Sequence, residues 1–163
     1  MNKVSVVIVG AGPSGLAAAI RLKKQRPLLD ICVVDKAAEA GNHSLSGAAI
    51  ERRQLKELLD QTIDGWEDSK QAREILARQI NKDKVYLFLG PSVDVPLSPF
   101  IRIAKALGHS LGEMDHTGDY LVSISKLTKW LVSIARQVGV EVLFGFSAQD
   151  ILWENDTVAG VIL

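Results

Sequence analysis

The stretch Val4-Ser5-Val6-Val7-Ile8-Val9-Gly10-Ala11-Gly12-Pro13-Ser14-Gly15 decides the fold: an apolar run enters a turn punctuated by Gly10, Gly12 and Gly15. A strand that feeds a Gly-x-Gly-x-x-Gly turn and then a helix is the opening of a dinucleotide-binding βαβ unit. The first glycine permits the tight turn, the second lets bare backbone approach a pyrophosphate, and the third lets the helix pack against the strand. The helix start then offers unpaired N–H groups and the positive end of its dipole to the phosphates.

The residues that follow supply the rest of the unit. From Ser14 the chain reads as a helix with Leu16, Ala17, Ile20 and Leu22 inward, and the alanines at 17–19 allow close approach to a sheet. Pro27 ends it, because proline cannot continue the hydrogen-bond ladder. A second apolar strand, Ile31-Cys32-Val33-Val34, finishes on Asp35. An acid at that strand end can hydrogen-bond the ribose of an adenosine, and its charge repels a 2′-phosphate, which favours FAD or NAD over NADP. The plainer alternative is a strand–turn–helix with no ligand. Against it, strand, glycines, helix and acid all fall where the binding motif requires them.

With 163 residues the chain has the size of one domain. Nineteen basic and nineteen acidic residues cancel, so no overall field attracts nucleic acid or an anionic surface. Cys32 is the only cysteine, which excludes an intrachain disulfide and four-cysteine iron–sulfur ligation within this sequence. Its place inside an apolar strand reads as packing. The N-terminus lacks a signal-peptide pattern and no apolar stretch is long enough to span a membrane, so the expected location is cytoplasmic.

Three regions follow within a single FAD-binding-type domain, 1–163. Residues 1–50 hold the βαβ unit and a loop, Gly41-Asn42-His43-Ser44-Leu45-Ser46-Gly47, that leaves the carboxyl end of the second strand, where ligands of parallel sheets lie. Residues 51–118 read as an inserted cap or substrate-side excursion: helices over 51–60 and 67–80, a strand over 85–89, then a proline-containing loop with extended chain over 91–99. The pattern at 100–107 leaves strand and helix both open. In residues 119–163, Tyr120-Leu121-Val122 is extended, and Ser123 precedes a helix with Ile124, Leu127, Leu131, Ile134 and Val138 at helical spacing. Gly139 ends that helix, 140–144 is a third parallel strand, and 149–153 with 157–163 form a hairpin across Asn155-Asp156. The fold class is α/β, a Rossmann-like nucleotide-binding fold with a parallel sheet, an inserted cap and a terminal hairpin. Nothing in the sequence covers the far side of the first strand, so an uncovered apolar edge is expected. From that edge we expect a truncated member of a larger architecture, open to association through its sheet edges.

These residues resemble a known family. Val-Val-Ile-Val-Gly-Ala-Gly-Pro-Ser-Gly-Leu-Ala-Ala-Ala-Ile-Arg-Leu, then Cys-Val-Val-Asp-Lys and Gly-Asn-His-Ser-Leu-Ser-Gly-Ala, are similar to the N-terminus of electron transfer flavoprotein–ubiquinone oxidoreductases. Gly118-Asp119-Tyr120-Leu121-Val122-Ser123, Trp130-Leu131, Gly139-Val140-Glu141-Val142 and Gly145-Phe146-Ser147-Ala148 continue the likeness. The resemblance implies FAD as cofactor. It places Gly10, Gly12, Ser14 and Gly15 on the pyrophosphate, with Pro13 among the contacts, Asp35 on the ribose and Lys36 beside the adenine. Ser46 and Gly47 fall along the ribityl and flavin side, Ser123 faces the phosphates, and Ala148 touches the adenine. In the family, electrons pass from electron-transfer flavoprotein through FAD and an iron–sulfur cluster to a quinone, on proteins peripheral to the membrane. Two departures stand out: Asp35 replaces the usual Glu, and Ser123 stands where related flavoproteins often carry Arg. The later flavin-binding strands, the quinone region and the cluster cysteines have no counterpart in this sequence.

Other polar residues read more blandly. His43 could orient a group near the flavin or simply bond loop backbone. His109 and His116 lack convergent metal ligands. Trp66, Trp130 and Trp153 read as packing residues, and Glu113, Asp115 and Asp119 as a solvated acidic loop. A geranylgeranyl-reductase-like or aromatic-hydroxylase-like flavoenzyme shares the same opening, and an inert nucleotide-binding fragment is the alternative of another class.

Overall fold

The computed structural model describes residues 3–44, 47–109, 114 and 116–163. Strand β1 (Val6–Val9) runs into helix α1 (Pro13–Gln25) and returns as β2 (Ile31–Asp35). The excursion comprises β3 (Ala48–Ile50), α2 (Arg52–Asp60), a 3-10 turn (Trp66–Asp68), α3 (Lys70–Ile75), β4 (Tyr86–Gly90), β5 (Val93–Pro96) and α4 (Ser98–Ala106). The chain then forms β6 (Tyr120–Val122), α5 (Ile124–Gln137), β7 (Glu141–Phe144) and the hairpin β8 (Asp150–Glu154) and β9 (Thr157–Ile162).

The main sheet is parallel with order β1-β2-β7. Val6 stands opposite Ile31, and Cys32 opposite Glu141. All three strands therefore end at one edge, and the chain leaves β1 and β2 there for the glycine turn and the Asp35 loop. Helices α1 and α5 pack together over the sheet, where Leu16, Ala19 and Ile20 join Leu127, Leu131, Ile134 and Ala135 around Val33. Of the alanines at 17–19 only Ala19 is fully buried. Cys32 is a buried free thiol; burial pushes its pKa up, and the Glu141 carboxylate adds to the shift. Among the described residues β1 pairs only with β2, which leaves the expected bare edge, and Val9 at its end is 58% exposed.

The excursion departs from the periodicity reading in one place. Helix 67–80 does not form as a unit. Gly65 at φ +68° opens the 3-10 turn, and Ser69 caps a fresh helix by accepting from the Ala72 N–H at 3.1 Å. Helix α3 then stops at Ile75 because the chain beyond it is claimed by β6. Leu121 N–H donates to Arg78 O, Ile80 N–H to Asp119 O, and Gly118 N–H to Ile80 O, at 2.8–2.9 Å. Segment 78–80 thus flanks β6, whose other side pairs antiparallel with β3. The undecided stretch 100–107 falls in α4, whose Ser98 Oγ accepts from the Val85 N–H. Asn155 and Asp156 both adopt positive φ, 49° and 58°, as a two-residue hairpin turn of this kind demands.

The tryptophans divide. Trp66 and Trp130 are buried with ring centroids 6.4 Å apart, and the Trp66 indole donates to Asp60 Oδ1 at 2.8 Å. Trp153 is 58% exposed on the hairpin, so it is not a packing residue within these contacts. Asp119 is not solvated either; its side chain is 16% exposed, accepts from the Arg52 N–H at 3.3 Å and lies 3.2 Å from His116 Nδ1. Glu113 and Asp115 lie outside the described residues.

Thr128, on α5, is buried and its Oγ1 has no hydrogen-bond partner among the described residues. A buried hydroxyl without a partner costs roughly 1–3 kcal/mol relative to an apolar group of the same shape. Thr128→Val is therefore expected to raise stability, by about 1 kcal/mol, in urea unfolding; a lowered midpoint would show that the hydroxyl is bonded.

Candidate functional site

Three backbone constraints shape the carboxyl edge of the sheet. Gly10 has φ +105° and donates its N–H to Val34 O at 2.8 Å, so the turn begins while the chain is still tied to β2. A Cβ on Gly15 would collide with the Gly10 carbonyl oxygen, so the third glycine is required by the approach of α1 to the turn. Gly12 differs from both. It has φ −75° and ψ 173°, extended backbone open to any residue, and a Cβ there would meet nothing within 4 Å. Neither strain nor packing calls for a glycine at position 12. The space in front of it is open, and a side chain would fill it.

Gly12 stands at the N-cap of helix α1, with Pro13 in the first turn, no capping side chain and no acidic residue in that turn. Pro13 has no N–H to lose at this position, and Ser14 is exposed. The first turn of the helix thus carries no anion within it, and the Asp35 carboxylate stands just before it. Asp35 is tied into the same edge: the Ala11 N–H donates to its Oδ2 at 2.6 Å and the Ala37 N–H to its Oδ1 at 2.8 Å. Each carboxylate oxygen keeps acceptor capacity beyond that one bond. Lys36 is exposed next to it. Gly145 N–H donates to Ala37 O and Phe146 N–H to Asp35 O, which draws the segment leading to half-buried Ala148 along the end of β2.

The remaining sequence-derived candidates gather at a second place. Ser123 caps α5, its Oγ accepting from the Lys126 N–H. Ser123 and Gly47 line one cleft of about 430 Å³, walled also by Glu74, Arg78, Leu121 and Lys126. Lys126 Nζ lies 3.0 Å from Glu74 Oε1, and this hydrogen bond holds the Glu74 carboxyl below its ordinary pKa. The glycine turn is not among the walls of this cleft. Ser46 lies outside the described residues. Among the described residues no group of three or more His, Cys, Asp or Glu side chains could hold a metal ion.

Residues 8–78 match the model of the NAD(P)-binding Rossmann-like domain. The chain is 38% identical over 161 residues to the mitochondrial electron transfer flavoprotein-ubiquinone oxidoreductase of Oryza sativa, covering 96% of this chain and 24% of that protein. The Pseudomonas aeruginosa enzyme of the same name is 36% identical, with 96% and 27% covered. Over nearly its whole length the chain is similar to electron transfer flavoprotein–ubiquinone oxidoreductases. The chain spans about a quarter of the length of these relatives. Its fold is also that of a geranylgeranyl bacteriochlorophyll reductase-like protein of Thermoplasma acidophilum (TM-score 0.64, 23% identity, 97% of this chain and 34% of that one). An aklavinone-11 hydroxylase crystallised with FAD and aklavinone has the same fold (TM-score 0.55, 20% identity, 98% and 29% covered). Among the described residues no helix is long and apolar enough to cross a membrane.

Three residues act here through contacts that the motifs do not state. Ala11 matters through its N–H, which no side-chain pattern reveals. Gly41 packs against the first turn of α5, where a Cβ would sit 2.6 Å from Ser125 Oγ and 2.8 Å from its carbonyl; a glycine in the loop after β2 was the available signal. Arg78 reaches the cleft only because the chain pairs with β6.

Asp35→Asn keeps one carbonyl oxygen for two backbone donors and sets an NH2 against the other. A loss of about 1–3 kcal/mol is expected, read as a lower urea midpoint at unchanged slope. An unchanged midpoint would mean that the carboxylate does not hold the glycine turn.

Proposed function

We propose that this chain holds FAD for a flavin-dependent oxidoreductase that, as its relatives' names state, passes electrons between electron transfer flavoprotein and ubiquinone. The open space before Gly12, at a helix start without a capping side chain in a chain similar to this family, supports the reading best. FAD, when bound, supplies electron-transfer chemistry that protein side chains lack. The chain's own residues do the holding. Gly10, Gly12, Pro13, Ser14 and Gly15 present backbone and helix start to the pyrophosphate. Asp35 accepts from the adenosine ribose with its remaining acceptor capacity, Lys36 and Ala148 border the adenine, and Gly47 and Ser123 line the path of the flavin half.

The donor and acceptor belong to the whole family protein. The region 51–118 is proposed as its cap. Its β4, its α4 and the turn after it leave Phe88, Leu89, Phe100, Ile103 and Leu107 exposed, apolar residues that suit a quinone taken from a lipid phase. The likeness to the hydroxylase and reductase structures rests on fold alone and adds no substrate.

Gly12→Val is expected to abolish binding of FAD and of ADP while costing at most about 1 kcal/mol of stability, since the backbone there suits any residue. Gly15→Ala, a control of the opposite kind, should lose stability instead. Retained nucleotide affinity in Gly12→Val would sink the assignment, and a chain that binds neither ligand would be the inert fragment.

Asp35 should also set the choice of nucleotide. ADP is expected to bind at least tenfold more tightly than its 2′-phosphorylated analogue, because a second anion would face the Asp35 carboxylate. Equal affinities in a calorimetric titration would remove Asp35 from the ribose.

A further inference from the structure

We propose that the cleft between segment 78–80 and the start of α5 takes the flavin-mononucleotide half of the cofactor, with Arg78 as its cationic contact. The proposal rests on the FAD reading above and extends it to a residue that no motif contains.

The backbone of Arg78 is fixed. Its carbonyl accepts from Leu121 N–H at 2.9 Å, Gln79 bridges Tyr120, and Ile80 is bonded to Asp119 and Gly118. Its guanidinium makes no hydrogen bond or ion pair among the described residues, although it lines the cleft. Lys126, the other cation of that wall, is bound to Glu74, so the two cancel and Arg78 carries the net charge. Ser123 contributes no charge, and its hydroxyl is turned to the N–H of Lys126. Gly47, at φ +82° with open space where a Cβ would stand, leaves its part of the wall bare.

The volume, about 430 Å³, lies in the range of small-molecule sites. A planar guanidinium with five donors suits acceptors that come in pairs, such as phosphate oxygens or adjacent ring carbonyl and nitrogen atoms. The flavin-mononucleotide half offers both, whereas the ADP half lies at the glycine turn, which this cleft does not touch. Arg78 thus supplies a positive charge on the side where Ser123 stands in place of an arginine.

The test measures FAD, FMN, ADP and inorganic phosphate binding to the full chain, unsubstituted and as Arg78→Glu, Arg78→Gln and Arg78→Lys. Arg78 is exposed, so unfolding midpoints should match; Arg78→Gln carries the test where the Glu variant misfolds. FAD and FMN affinity should fall at least tenfold in the Glu and Gln variants, with ADP within twofold and partial recovery in Lys. FAD affinity unchanged by Arg78→Gln, or an equal loss of ADP, overturns the proposal, as does phosphate alone competing as well as FMN. An unsubstituted chain that binds ADP but gains nothing from the flavin half overturns it while the glycine-turn reading stands. A chain that binds no nucleotide overturns both.

Discussion

The approach of Gly15 to the Gly10 carbonyl oxygen fixes where α1 starts, and most of the carboxyl edge follows from it. With the helix pressed onto the turn, Leu16, Ala19 and Ile20 meet α5 and the β2 side chains, and the buried core closes around Val33. The same contact holds the first turn of α1 beside the end of β2, where the Asp35 carboxylate can tie down Ala11. Packing and site geometry are therefore one problem here. A side chain at position 15 would move both, while one at position 12 would leave the packing alone and change only what the edge can admit.

The second half of the edge is built differently. Segment 78–80, β6 and β3 are short, and their mutual backbone bonds provide most of what positions Gly47, Arg78 and Ser123. Gly41 seated on Ser125 anchors the loop that precedes β3 to the first turn of α5. Asp119 adds a side-chain tie, joining Arg52 at the start of α2 to His116. These contacts cross long stretches of sequence, so the cleft depends on the excursion being folded in a way that the βαβ unit does not.

That difference explains what could be read from residues alone. The βαβ unit was legible because its signals are local: apolar strands, three glycines, a helix ended before Pro27 and an acid at a strand end. Ser123 as a helix start and Asn155-Asp156 as a turn were legible for the same reason. The 67–80 stretch misled because Ile75, Leu76 and Ile80 keep helical spacing across a point where pairing with a distant strand takes over. Trp153 reads as packing because an aromatic residue favours burial, but burial needs a partner surface that the described contacts do not include. Asp119 looked solvated because neither Arg52 nor His116 can be paired with it from sequence. The third glycine gave its reason in advance; the Ala11 N–H and Arg78 had none to give, since one is a backbone atom and the other depends on a long-range register.

The two halves of the edge also differ in how their charges are committed. Asp35 is engaged by two backbone donors before any nucleotide arrives, so the turn and the acid that would meet a ribose are already in place. Little ordering then remains to oppose binding at that end, and the fixed carboxylate discriminates by what it repels. Among the described residues Arg78 has no such engagement, and Lys126 is held by Glu74. An exposed guanidinium must give up rotamer freedom to make a contact, which weakens the net gain but lets it adapt to either phosphate or ring acceptors. On the proposed reading the adenosine end supplies selectivity from a preformed frame, and the opposite end supplies affinity only once the cofactor's second half is present.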